Sequence, residues 1–281
     1  MFDCYVRRSM HFILVGAMAC LLSPTAGLAT TLKIGGTGAG LATMRILADA
    51  FMREHPDISV EVPGSLGSRG GIKAAIAGAL DVGLSSRSLK SKERQAGARQ
   101  IHYARTPFVL VTSARNSKPS PAFSSAELVE IFSGASTYWG DGTPIRIILR
   151  SERDTSTRLL ISAFEGMHAA LAKARAMPGI PVTHTEQDNM DLAESLAGSL
   201  TTASLTALLA ENRALTPIAI DGVAPTLDHL ANGSYPFSKS FYMVTGREIS
   251  PPARAFIRFV LSADGAAILR ATGNLPIAPT G

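Results

Sequence analysis

The strongest constraint on the fold is a strand–turn–helix unit that recurs near the start of the chain. The first unit is "LKIGGTGAGLATMRILADAF" (residues 32–51), an apolar strand that runs through a glycine-rich turn into a helix. Four apolar residues of that helix recur at the spacing i, i+3, i+4 and i+7 and so share one face, namely Met44, Leu47, Ala48 and Phe51. Such units predict an α/β fold, in which helices cover a largely parallel sheet.

Two further strands extend this pattern. "ISVEV" (58–62) leads into the Ser/Gly turn and helix of "SLGSRGGIKAAIAGAL" (65–80), and "DVGLSS" (81–86) is a third strand that ends in hydroxyl residues. Ligands of parallel sheets bind at the carboxyl ends of the strands. The three polar turns are therefore expected to converge on one site.

The rest of the chain predicts a second lobe. A long apolar strand, "TPFVLVTS" (106–113), forms the first crossover, and a second α/β segment with the strand "IRIILR" (145–150) follows it. "YPFSKSFYMVTG" (235–246) is predicted to be a strand that runs back beside residues 106–113 as the second crossover. Two lobes joined by two strands imply a hinged cleft.

These boundaries give three segments. We predict a signal peptide at residues 1–29, a first lobe of residues 30–112 plus 236–281, and a second lobe of residues 113–235. The signal peptide has a basic start at Arg7 and Arg8, an apolar middle, and a small-x-small cleavage site at Gly27-Leu28-Ala29. Its cleavage implies a periplasmic or other extracytoplasmic location.

Charge and cysteine content limit the partners. The formal net charge is +5, and loss of the signal peptide would lower it to +4 because two arginines and one aspartate leave with it. This positive charge is small and spread over the chain. It favours anionic ligands only weakly and argues against a nucleic-acid partner. Cleavage would also remove Cys4 and Cys20, the only cysteines of the chain, so the mature protein would form no disulfide.

The polar turns have the chemistry of an anion site. Helix N-termini carry unpaired backbone N–H groups and partial positive charge, glycine permits close approach, and Ser or Thr adds a hydroxyl donor. Candidate cradles are Thr37-Gly38-Ala39, Ser68-Arg69-Gly70, Thr155-Ser156-Thr157 and the strand end at Ser86. Arg150 ends the strand "IRIILR", where its guanidinium could pair with a tetrahedral oxyanion.

Three later segments carry a resemblance to a known family: "GIKAAIAGALDVGLSSRSL" (71–89), "SSAELVEIFSGASTYWGDGTPIRIILR" (124–150) and "IDGVAPTLDHLANGSYPFSKSFYMV" (220–244). In these segments and their order the chain resembles the PstS-like phosphate-binding proteins of ABC transporters, which have the two-lobed type 2 periplasmic-binding-protein fold. The resemblance implies a non-catalytic protein without a cofactor. We expect a monomer, although the sequence leaves the oligomeric state open. Such a protein would hold inorganic phosphate in the inter-lobe cleft and deliver it to a membrane permease.

The resemblance also assigns ligand contacts by position. It implies backbone N–H groups from Gly38 and Ala39 beside Thr37, hydroxyls from Ser68 and from Ser86, where some members have aspartate, and the guanidinium of Arg150. The chain departs from the family after that arginine, where Asp154-Thr155-Ser156 stands in place of Ser-Gly-Thr. Asp154 could pair with Arg153 or Arg158 and point away, or it could accept the proton of a phosphate ion.

Other functions fit the sequence less well. A dinucleotide-binding enzyme is disfavoured because Leu41 stands where the third glycine of "GGTGAG" should be. A hydrolase is disfavoured because no nucleophile elbow occurs, and the six histidines lack metal-ligand spacing, so no metal is expected. An anion sensor that signals through a partner stays open, as do sulfate and molybdate as ligands.

Overall fold

A computed structural model describes residues 30–115 and 122–278. The predicted signal peptide, residues 1–29, lies outside these ranges. Within them, no helix has the length and apolarity that crossing a membrane requires.

The described residues form short and long strands in both halves of the chain. The strands are β1 (Thr30–Gly36), β2 (Ile58–Glu61), β3 (Val82–Ser85), β4 (Arg99–Ser113), β5 (Ala122–Phe123), β6 (Arg146–Ile147), β7 (Leu149–Arg150), β8 (Val182–Thr183), β9 (Ser199–Ser204), β10 (Leu215–Pro217), β11 (Ala219–Ile220), β12 (Ser238–Thr245) and β13 (Leu275–Pro276).

Helices alternate with the first three strands, as the opening units predict. The helices are α1 (Leu41–Glu54), α2 (Gly67–Ile76), α3 (Ser91–Gln95), α4 (Ser125–Phe132), α5 (Thr155–Ala163), α6 (Met167–Ala176), α7 (Glu186–Ser195), α8 (Leu205–Ala210), α9 (Leu227–Ala231), α10 (Pro251–Val260) and α11 (Ala263–Ala271). A 3-10 turn, Gly38–Gly40, precedes α1.

The main sheet is mixed rather than largely parallel. Its strand order is β2-β1-β3-β12-β4-β9-β6, with β10 and β13 also paired to β4. The first three strands pair in parallel, as the strand–turn–helix units predict. The prediction of a largely parallel sheet is wrong for its centre, because β12 pairs antiparallel with both β3 and β4.

Strands β4 and β12 run through both halves of the molecule. β4 begins at Arg99, seven residues before the predicted strand, and its residues 99–107 pair with β12, from Ser238↔Pro107 to Thr245↔Arg99. Of the strand predicted as the crossover, only Thr106 and Pro107 pair with β12, whereas residues 108–113 pair with β9 and β10. The two crossing strands are therefore neighbours, but they meet along the first half of β4.

Two separate groups of apolar side chains support a two-lobed α/β fold. The first core joins residues 32–104 to residues 241–269, and within it the rings of Phe51 and Phe256 meet edge to face at 5.2 Å. The second core draws on residues 108–235. A further cluster, which includes Val109 and Val111, packs on β4 beside the second core. Core membership along β4 thus changes between Ala104 and Phe108.

The predicted strand "IRIILR" is divided by the structure. β6 pairs in parallel with β9 in the main sheet, whereas β7 pairs in parallel with β8 in a separate two-stranded sheet. Between them, the backbone N–H of Ile148 still donates to Leu200 of β9, at 3.0 Å. This change of partner takes Arg150 out of the main sheet and sets it beside Thr183.

Candidate functional site

Three hydroxyls from the first lobe meet at the carboxyl ends of its strands. Thr37 follows β1, Ser68 lies in the first turn of α2, and Ser86 follows β3. The Ser86 Oγ lies 3.2 Å from the Thr37 Oγ1 and 3.0 Å from the Ser68 Oγ, and the Ser86 backbone N–H donates to the Ser68 Oγ at 2.9 Å. Thr37 and Ser86 are buried. The structure thus brings these three candidate residues together.

Gly38 lies where the first turn touches helix α7. A side-chain carbon at Gly38 would come within 2.6 Å of the Oε1 of Gln187. The Nε2 of Gln187 also donates to the Gly38 carbonyl, at 3.1 Å. A glycine at this position therefore permits close approach between the two lobes. Ligand contacts from the N–H groups of Gly38 and the buried Ala39 stay predictions.

Arg150 is buried on the second-lobe side, with 6% of its surface exposed. Its Nη1 donates to the Thr183 Oγ1 at 3.3 Å and to the Thr185 carbonyl. Its Nη2 donates to the His184 carbonyl at 3.3 Å and to the Asp154 Oδ2 at 3.0 Å. The Nε is buried and has no hydrogen-bond partner among the described residues. One donor of the guanidinium is therefore left without an acceptor.

Asp154 caps the N-terminus of α5. Its Oδ1 accepts from the Ser156 backbone N–H at 2.8 Å, while its Oδ2 accepts from Arg150. Burial alone would raise the pKa of Asp154, but the charges of Arg150 and Lys239 and these hydrogen bonds together hold it below its usual value. The carboxylate is therefore ionised at neutral pH.

The surface-pairing prediction for Asp154 is wrong. Its ion-pair partner is Arg150, four residues earlier, rather than Arg153 or Arg158. Arg158 instead approaches the Thr155 Oγ1, at 3.3 Å. The other alternative, that Asp154 accepts a proton from a bound anion, stays a prediction.

Ser156 connects the α5 N-terminus to a buried ion pair that sequence reasoning missed. Its Oγ accepts from the Lys239 Nζ at 3.1 Å. The same ammonium lies 3.2 Å from the Glu186 carboxylate, which also accepts from the Ser204 Oγ at 3.0 Å. The missed signal lies in "YPFSKSFYMV", where Lys239 takes the same alternate position as the buried Phe241. A lysine on the buried face of a strand indicates a nearby acidic partner, because lysine is almost never fully buried unless its charge is paired.

A cavity of about 480 Å³ lies between the first-lobe residues that include Ser68 and the second-lobe residues around Asp154. Ser68 lines it from the first lobe, and Asp154 and Thr155 line it from the second. Its wall contains six cationic side chains and two acidic ones, namely Arg69, Arg87, Lys90, Lys92, Arg153 and Arg158 with Glu93 and Asp154. This excess of positive charge raises the local concentration of anions.

The chemistry of the site is that of polar recognition. Hydroxyls, a guanidinium, an ammonium and a helix N-terminus supply hydrogen-bond donors at the boundary of the lobes. Among residues 30–115 and 122–278, no group of three or more His, Cys, Asp or Glu side chains could hold a metal ion.

Known proteins share both sequence and fold with the chain. The family model described as "PBP superfamily domain" matches residues 23–264. The phosphate-binding protein PstS of Bacillus subtilis (strain 168) is 25% identical over 253 residues, which cover 88% of this chain and 81% of the relative.

Solved structures extend the likeness. A Clostridium perfringens structure, described as a candidate phosphate ABC transporter substrate-binding protein with bound phosphate, has a TM-score of 0.75 at 24% identity, covering 88% of this chain and all of that one. A reduced form of OxyR from N. meningitidis has a TM-score of 0.57 at 14% identity, covering 88% of this chain and 99% of that one. At these identities the likeness shows the fold, which serves both transport and regulatory proteins.

Proposed function

Because this chain belongs to the PBP superfamily, we propose that it is an extracytoplasmic substrate-binding protein that captures inorganic phosphate between its lobes. It would then deliver the ion to the permease of an ABC transporter. The names of the B. subtilis and C. perfringens relatives support phosphate as the ligand. The same relatives are binding proteins, which supports a role without catalysis.

The observation that carries this proposal is the environment of Arg150. A guanidinium with 6% exposure and an unpartnered Nε is paired with Asp154, the residue that caps the N-terminus of α5. Guanidinium groups pair well with tetrahedral oxyanions, and the helix N-terminus adds favourable partial charge. In our proposal Arg150, Thr155 and Ser156 hold the anion from the second lobe.

The first lobe would complete the coordination. Thr37, Ser68 and Ser86 supply hydroxyl donors, and the turn at Gly38 and Ala39 supplies backbone N–H groups when the lobes close. Each charge-assisted hydrogen bond is worth about 1.5–3 kcal/mol, so a handful of them gives useful affinity. Closure needs only bending in β4 and β12, the two strands that join the cores.

Calorimetric titration tests this proposal. The purified protein is stripped of bound anions and then titrated with phosphate and, separately, with sulfate. We expect phosphate to bind with a stoichiometry of one, and more tightly than sulfate. If neither anion produces binding heat at several temperatures, phosphate is the wrong ligand and the search moves to other oxyanions.

A further inference from the structure

The carboxylate of Asp154 already occupies two of the donors that the second lobe would offer to an anion. Its Oδ1 takes the Ser156 backbone N–H at 2.8 Å, and its Oδ2 takes the Nη2 of Arg150 at 3.0 Å. These are a helix N-terminus and a guanidinium, the two groups that recognise oxyanions most readily. Asp154 lies at the wall of the inter-lobe cavity, so an entering anion meets it directly.

The two buried cations of this position are each paired before any ligand arrives. Arg150 is matched by Asp154, and Lys239 is matched by Glu186. A phosphate dianion that joined this group unchanged would place its charge beside an ionised carboxylate, which is repulsive. The anion and Asp154 therefore compete for the same donors.

We propose that Asp154 sets the affinity of this site by acting as a built-in competitor that a ligand anion must displace. This inference rests on the proposed function, because it concerns how strongly the same cleft holds its anion. On binding, the carboxylate gives up Arg150 and the Ser156 N–H to the ligand and turns toward the cavity that it lines. The position thus weakens capture and makes release easier.

Two substitutions separate this role from helix capping. Asp154→Asn keeps the shape and an acceptor for the Ser156 N–H but removes the charge. Asp154→Ser retains a good N-cap residue and shortens the side chain. In both variants the donors become available without a competing carboxylate. We expect each variant to bind phosphate about tenfold more tightly or better in calorimetry.

Glu152→Gln is the matched control. It removes the same charge two residues away, from a side chain that is 78% exposed and whose carboxylate lies 3.8 Å from the Arg175 Nε. We expect its phosphate affinity to stay within about twofold of the parent, because exposed charges are screened. Thermal unfolding of all three variants checks that each is folded.

The outcomes distinguish the two proposals. Tighter binding by both Asp154 variants, with Glu152→Gln unchanged, supports the competitor role even if the parent binds too weakly to measure. If the parent binds phosphate and the Asp154 variants bind equally or more weakly, the competitor role is wrong while the proposed function stands. If neither the parent nor any folded variant binds phosphate, both are overturned.

Discussion

Lys239 and Glu186 form a buried ion pair at the boundary of the lobes, with the ammonium nitrogen 3.2 Å from the nearer carboxylate oxygen. Lys239 belongs to β12, one of the two strands that join the cores, and Glu186 begins α7. Their side chains are 2% and 5% exposed. The pair therefore ties a joining strand to the helix that touches Gly38.

Removal of one partner should destabilise the protein strongly. Lys239→Met leaves the Glu186 carboxylate buried without its cation, and breaking such a pair costs roughly 3–5 kcal/mol. We expect this loss in the free energy of unfolding measured with urea. The double variant Lys239→Met/Glu186→Gln should recover most of it, because no buried charge is left unpaired. Equal stability of the single and double variants would contradict this account.

Anion binding should depend on the guanidinium of Arg150. Arg150→Ala removes two or more charge-assisted contacts to the proposed ligand, so we expect phosphate affinity to fall about 100-fold or more. Arg150→Lys keeps the positive charge but lacks the planar, paired N–H donors of a guanidinium, so it should bind phosphate with intermediate affinity. Arg153→Ala, which removes an exposed arginine from the wall of the inter-lobe cavity, is the control. Comparable losses in Arg150→Ala and Arg153→Ala would argue for a diffuse charge effect instead.

The close approach at Gly38 should be measurable as strain. In Gly38→Ala the new carbon would lie 2.6 Å from the Gln187 Oε1. Because that atom ends a flexible side chain, we expect a modest cost of about 1 kcal/mol in unfolding free energy. The double variant Gly38→Ala/Gln187→Ala should recover part of this unfolding free energy, because the Gln187 Oε1 is no longer present. Gly64→Ala is the control, since nothing lies within 4 Å of its new carbon.

The Arg87–Glu93 pair at the cavity wall should make stability depend on pH. The hydrogen bond from Arg87 holds the pKa of Glu93 at about 2, against a usual value of 4.5. Because the folded-state pKa is depressed, the stabilisation is fully present above pH 4.5 and is lost as the pH falls toward 2. Glu93→Gln should therefore melt below the parent at pH 6, and this difference should shrink at pH 3. A constant difference would mean that the carboxylate charge is not the cause.

The first-lobe part of the site followed from local sequence. Each of its turns ends a strand of a parallel group, and geometry alone brings the carboxyl ends of such strands together. The Ser86 hydroxyl accordingly lies within hydrogen-bonding distance of both the Thr37 and the Ser68 hydroxyls. Arg150 at the end of its strand followed from the same reasoning.

The remaining features depend on partners that are distant in sequence. Lys239 and Glu186 are 53 residues apart, and no periodicity connects them. The division of "IRIILR" reflects a choice between β9 and β8 as neighbours, which is decided by tertiary packing rather than by strand propensity. Asp154 stands out in the sequence as a departure from the family, but the two partners it suggested, Arg153 and Arg158, are not the one it has. Its pairing with Arg150 depends on how the backbone turns between β7 and α5.

The two hydrophobic cores differ in when their residues leave the ribosome. All residues of the second core lie between 108 and 235, so they are available before β12 has been synthesised. The first core needs Phe241, Met243 and residues up to 269, so its opening strands wait for the end of the chain. The core that contains the first strands of the chain is therefore the last to have all of its residues available.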